Sequence, residues 1–202
     1  MTEDDARAWI AARWGDAAVA KLERFASLVR DEAGRQNLVA PSTLDTIWAR
    51  HIVDSAQLLT LAPERGGAWI DVGTGAGFPG LVVAMLRPLP TVLVEPRARR
   101  AAFLSSVAEA LDLPFVKVEP VKVEMLRSPV ADIVSARAVA PTMTLLRGTK
   151  HLRTPSTTVL FPRGRGGLAE LANLPREWQA MFHVEHSLTD PDSVILVANG
   201  VT

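Results

Sequence analysis

The chain has 202 residues, 48% apolar and 22% charged, with a formal net charge of zero. This suits one globular domain with a modest extension, and the net charge by itself points to no partner. The absence of cysteine excludes disulfides, thiolate zinc sites and a cysteine nucleophile. No apolar run reaches the roughly 18–20 residues of a membrane span, and the acidic start M-T-E-D-D does not read as a signal peptide. A soluble, cytoplasmic, monomeric protein is the expectation.

Up to about residue 62 the pattern is helical. Trp9, Ile10 and Trp14 share one face, and Val19, Leu22, Phe25, Ala26 and Val29 recur at helical spacing. Gly34 is placed to end that helix, and 37–41 reads as a turn. Ser42 with Asp45 resembles a capping box for a further helix carrying Ile47, Trp48 and Ile52. Pro63 and Gly66–Gly67 close this segment, so 1–62 reads as a helical extension and 63–202 as a core domain. From residue 68 short apolar runs alternate with helical stretches. Strands are expected over 68–72, 91–95, 115–119, 131–135 and 157–161, with helices near 79–87, 97–111, 141–152 and 166–173. Two closing strands, 182–188 and 193–198, are joined by T-D-P-D. Alternating βα units imply an α/β fold with a mostly parallel seven-stranded sheet and helices on both faces. The closing turn is too tight for a parallel crossover, so one closing strand must run antiparallel.

In such a fold ligands bind beyond the carboxyl ends of the strands, where strand order reverses. The first βα turn is D-V-G-T-G-A-G-F-P-G, residues 71–80. Gly73 and Gly75 let backbone approach a ligand without a Cβ in the way. Pro79 suits the first turn of a helix, whose open N–H groups would attract an anion. Glu95 ends the second strand, twenty positions after Gly75, where a carboxylate can accept both hydroxyls of a ribose. Loop and acid together describe a nucleoside site, and Gly77 and Gly80 complete a G-x-G-x-x-G that is weak on its own. No second glycine turn supports a dinucleotide.

Charge is unevenly spread. Residues 133–169 hold six bases and no acid. Such a block fits either a local anion-binding surface or a solvated rim scattered by folding.

The D-x-G-x-G-x-G stretch resembles the first motif of the class I S-adenosylmethionine-dependent methyltransferases. With Phe78-Pro79-Gly80 it is similar to the signature of one family, the bacterial small-subunit rRNA guanine-N7 methyltransferases (RsmG, also called GidB). N-L-V (37–39), R-H-I-V-D-S (50–55), K-V-E (122–124), S-A-R-A (135–138) and F-P-R-G (161–164) follow the family's order. The likeness covers roughly residues 20–200. It implies methyl transfer from S-adenosyl-L-methionine to N7 of one guanine of 16S rRNA, with S-adenosyl-L-homocysteine as product and the rRNA or small subunit as partner. It also implies that Gly73, Phe78, Val123, Glu124 and Arg137 contact the cofactor, joining Gly75, Gly77 and Glu95. Arg137 either binds the cofactor's carboxylate or pairs structurally with Asp71 or Glu95. Asn37, Arg50, His51 and Asp54 would orient the guanine, although Arg50–Asp54 also reads as an intrahelical ion pair and His51 as a satisfied structural histidine. His51 lacks companions spaced for a metal site, and no metal is expected.

Lys150, Arg153, Arg163 and Arg165 are candidates for rRNA backbone contact, Arg163 standing where the family usually has lysine. Arg97, Arg99 and Arg100 fit RNA contact or a solvated helix face equally. A methyltransferase acting on a small molecule or protein, or a non-catalytic nucleotide-binding module, remain the alternatives.

Overall fold

The computed structural model describes residues 1–64, 67–128 and 130–201; the expected break at Gly66 lies outside them. The first helix, α1 (Glu3–Ala33), opens on a capping box that pairs Thr2 with Asp5 and is followed by Gly34 at its C-cap. It kinks at Gly15, whose φ of +79° is open to glycine. Leu22, Phe25, Ala26 and Val29 form its buried stripe beyond the kink. The expected capping box at Ser42 and Asp45 does not form. Pro41–Thr43 is instead a single 3-10 turn without a side-chain cap. The next helix enters through a π-helical turn, Trp48–Val53, and runs on through the short α2 (Asp54–Ala56) into a 3-10 turn at Gln57–Thr60.

The core follows as β1 (Trp69–Val72), α3 (Gly80–Leu86), β2 (Thr91–Val94), α4 (Ala98–Ala110), β3 (Val116–Glu119) and β4 (Ile133–Ser135). It closes with α5 (Thr142–Gly148), β5 (Thr158–Arg163), α6 (Gly167–Ala172), α7 (Arg176–Gln179), β6 (Phe182–His186) and β7 (Val194–Asn199). The helix expected over 141–152 ends at Gly148 and continues as a 3-10 turn. The short α7 was not expected from the pattern. The seven strands lie in the order β3-β2-β1-β4-β5-β7-β6, with β7 antiparallel to both neighbours.

Alternation along each strand sends successive side chains to opposite faces. Trp69, Leu93, Ile133, Leu160 and Ile195 face α3 and the N-terminal helices. Ile70, Val94, Val134, Phe161 and Leu196 pack on the α5 side. One apolar cluster runs from Ala6 through Phe25, Trp48 and Leu81 to Leu113, so the N-terminal helices share a core with the first half of the sheet. The chain leaves β1 outward to β2 and β3, then returns to β4 on β1's other side. The turn after β1 therefore opens at the switch point.

Candidate active site

The first strand carries a buried acid into this turn. Asp71 is fully buried and lies in register with Ser135 of β4. Ser135 Oγ donates to its Oδ1 at 2.6 Å, and the Gly80 N–H donates to Oδ2 at 2.9 Å. Burial pushes its carboxyl up to about 6, against these hydrogen bonds. The start of α3, expected to face a ligand, is thus capped internally by Asp71. Pro79 is the residue before that helix, joined to Phe78 by a cis peptide.

Gly73 and Gly75 lie at φ +64° and +60° and form the floor of a cavity of about 420 Å³, a size that holds a small ligand. A Cβ on Gly73 would come within 2.6 Å of Val139, whereas Gly75 has only Arg100 and backbone at 3.9 Å. Glu95, 3% exposed, accepts from Gly75 N at 3.1 Å through Oε2 and from Arg97 N at 2.9 Å through Oε1. Each oxygen keeps a lone pair for a further donor. Thr74 Oγ1 is buried on the same floor without a hydrogen bond of acceptable geometry, though it favours the ionised form of nearby Asp71.

The π-helical turn forms the facing wall. Its first N–H groups are capped from α1: Trp48 N and Ala49 N donate to the two oxygens of Glu3 at 3.1 and 2.9 Å. Trp48 Nε1 donates to Glu23, which Arg7 and Arg30 flank. Arg137 then reaches three acceptors on this wall: Asp54 Oδ2 at 3.2 Å, the Arg50 carbonyl at 3.2 Å and His51 Nδ1 at 2.9 Å. Arginine only donates, so Nδ1 accepts and the proton sits on Nε2, which donates to Thr43 Oγ1 at 2.8 Å. Thr43 in turn donates to the Ala40 carbonyl. Burial, then the charges of Arg137 and Arg50, push His51 down to about 3, so it is neutral. Its ring stacks on Phe78 with centroids 4.9 Å apart, and Phe78 also packs on Phe25 and under the Arg137 guanidinium.

This geometry corrects two expectations. Arg137 pairs with Asp54, not with Asp71 or Glu95. Arg50 does not pair with Asp54 but with Asp190 of the β6–β7 turn, at 2.9 Å.

Residues 18–192 match the family model described as rRNA small subunit methyltransferase G (GidB). A protein named ribosomal RNA small subunit methyltransferase G from Erythrobacter litoralis is 43% identical over 98% of this chain and 97% of its own. One of the same name from Sphingopyxis alaskensis is 46% identical over 98% of this chain and 86% of its own. The chain belongs to the rRNA small subunit methyltransferase G family. Its fold is also that of a crystallised MtNAS mutant in complex with S-adenosylmethionine, with a TM-score of 0.61 at 15% identity, covering 89% of this chain and 74% of that one. TrmN from Thermus thermophilus aligns with a TM-score of 0.54 at 20% identity, over 72% of this chain and 48% of its own.

In this family member the cavity brings together Gly73, Gly75, Phe78, Arg137, Arg50, His51 and Asp54, with Arg163 on the β5 side. Gly77 turns back onto Leu81 of α3, outside it. Val123 and Glu124 lie in a 3-10 turn beyond β3 and do not line it; the Glu124 carboxylate sits beside Gly148 instead. Asn37 is exposed and offers its carbonyl to Arg100, while its neighbours Leu38 and Val39 line the cavity.

The basic block is scattered. Arg153 is 7% exposed and bonds the Val201, Leu146 and Thr149 carbonyls. It replaces an expected phosphate contact with a structural tie, because α5 and its 3-10 extension run away from the site. Lys150 shares that far end, where the Leu152 carbonyl accepts from Ala131 at the entry to β4. Arg163 has a side chain 8% exposed, paired with Glu170 at 3.1 Å and bonded to Thr142 and the Ala136 carbonyl, so its charge is spent within the domain. Arg165 stays at the surface, 86% exposed, beside Asp192.

Sequence patterns gave no sign of Glu3, Glu23, Thr43, Gln57 or the β6–β7 turn as parts of the wall. Gln57, Ser187 and Thr189 all donate to Asp54 Oδ1. Among the described residues no His, Asp or Glu cluster could hold a metal ion, and no helix is long and apolar enough to cross a membrane.

Proposed function

We propose that this chain transfers the methyl group of S-adenosylmethionine to N7 of a guanine in 16S rRNA, working in the cytoplasm as a monomer. In this reading residues 63–202 are the methyltransferase core and residues 1–62 an extension that braces the wall of its site. The single observation that carries the reading is one cavity with a glycine floor on one side and a cationic, hydrogen-bonding wall on the other.

The floor fits the cofactor. Bare backbone at Gly75, the two spare lone pairs of Glu95 and the buried Thr74 hydroxyl match a ribose and its neighbours. When bound, S-adenosylmethionine supplies an electrophilic sulfonium methyl. Guanine N7 carries an in-plane lone pair and no hydrogen, so the chain need not remove a proton. His51 agrees with that: it is neutral, and both ring nitrogens are engaged. What the wall contributes is placement, holding the purine in line with the methyl and keeping water out.

The test is methyl incorporation into 30S subunits from cells that lack the modification, mapped by cleavage at 7-methylguanosine. One labelled guanine in 16S rRNA is expected. Label in a small acceptor or a protein, with none in 16S rRNA, would overturn the reading.

A further inference from the structure

Two ion pairs that involve the wall of the site differ in character. Arg137–Asp54 is enclosed, each side chain 17% exposed, and Asp54 takes further hydrogen bonds from Gln57 and Thr189. Arg50–Asp190 lies at the rim, with side chains 45% and 23% exposed. Among the described residues the Arg50 side chain makes that one hydrogen bond, from NH1 to Asp190 Oδ2 at 2.9 Å. Asp190 is held independently of it: Oδ1 accepts from Asp192 N at 3.0 Å, and Oδ2 accepts from Ser193 Oγ at 3.1 Å. The Arg50 backbone is likewise secured, because its carbonyl accepts from Arg137. The guanidinium can therefore leave Asp190 without disturbing either the turn or the wall.

We infer that Asp190 is a placeholder for a phosphate of the RNA substrate, and that Arg50 exchanges one anion for the other when RNA enters. An exposed ion pair contributes only about 0–1 kcal/mol, so a phosphate can compete for its arginine. A planar fork suits a phosphate at least as well as one carboxylate oxygen. The pair joins Arg50, which lines the cavity, to a turn 140 residues away whose flanking Ser187 and Ser193 line it too. A polyanion whose base enters there must carry its backbone past this rim. The carboxylate costs affinity for RNA but keeps Arg50 extended and oriented before RNA arrives. This inference rests on the RNA reading above.

The experiment is a double-mutant cycle on Arg50→Ala and Asp190→Asn, measuring 30S binding against salt and S-adenosylmethionine binding in parallel. Asparagine keeps the acceptor for Asp192 N and its amide can donate to Ser193 Oγ, and Arg50→Ala keeps the backbone carbonyl, so thermal melts should show all variants folded. Asp190→Asn is expected to tighten 30S binding about 2–5-fold, the range an exposed pair allows. Arg50→Ala should weaken it and reduce the slope of log K against log salt by about 0.7–0.9, one phosphate contact. In the Arg50→Ala background the gain from Asp190→Asn should vanish. A gain that persists there would mean that Asp190 merely repels RNA from a distance, and the inference would fall. Weaker 30S binding by Asp190→Asn, or a gain for S-adenosylmethionine instead, would overturn it as well. Wild-type protein that neither binds nor methylates 30S would instead defeat the RNA reading itself.

Discussion

The floor and the wall of the cavity are built in opposite ways. The floor is backbone with the Thr74 hydroxyl, held from behind by the Glu95 carboxylate, and these parts span only residues 73–97, from one strand end to the next. The wall is side chains, drawn from α1, the π-helical turn, the loop after β4 and the β6–β7 turn. A floor made from strand ends follows directly from this sheet order, whose switch point lies beside β1. A wall assembled over long range belongs to the particular chain, and it is where selection of a target can reside.

The sharpest way to separate the two is Glu95→Ala. It frees the Gly75 and Arg97 N–H groups and, in the proposed reading, removes the acceptor for two ribose hydroxyls. Hydrogen bonds to a charged group contribute about 1.5–3 kcal/mol each, so titration calorimetry should show S-adenosylmethionine bound at least ~100-fold more weakly. Binding to 30S should hardly change.

Arg137→Ala attacks the wall. It strands the nearly buried Asp54 carboxylate and leaves the Arg50 carbonyl and His51 Nδ1 without their donor. Loss of one partner from an enclosed pair costs about 3 kcal/mol, to be read from urea unfolding, with activity falling alongside. Arg137→Lys should recover only part of this, since an ammonium cannot span three acceptors as the planar fork does.

A smaller effect tests whether α1 belongs to the wall. Glu3→Gln weakens the cap on Trp48 N and Ala49 N by about 1 kcal/mol. The KM for 30S should rise more than the KM for S-adenosylmethionine.

The last predictions concern pH, where His51 on the wall and Asp71 beside the floor pull in opposite directions. His51 titrates near 3 in the fold against 6.5 unfolded. The unfolded chain therefore gains the proton first, and stability is lost as pH falls from 6.5 toward 3. Asp71, raised to about 6 from 3.8, contributes stability that is present below 3.8 and lost as pH rises through about 6. Melting temperatures across pH 4–7 should fall less steeply on the acid side for His51→Gln than for wild type. For Asp71→Asn they should lose the component that declines with rising pH.

Legibility in the sequence follows the same division. The strands, the glycine turn and Glu95 were readable because strand alternation and turn chemistry act over a few residues. The length of one turn even required an antiparallel strand in the closing pair, and the structure shows that it is β7. The wall was not readable, because its partners lie 45, 83 and 140 residues apart. Arg50 and Asp54 sit one helical turn apart and suggested each other, yet each found a distant partner. The basic block misled for a geometric reason. The helix after β4 returns the chain to the amino ends of the strands and β5 brings it back, so Lys150 and Arg153 lie at the end opposite Arg163. The true capping box, Thr2 with Asp5, lay forty residues before the one expected.

The central claim is that the floor serves the cofactor and the wall serves the RNA. Its most direct test is the pair of KM values, for S-adenosylmethionine and for 30S, measured side by side on Glu95→Gln and Arg50→Ala. A crossed pattern is expected, with Glu95→Gln raising only the first and Arg50→Ala only the second. If both variants raise the same KM, floor and wall are not divided in this way and the account is wrong.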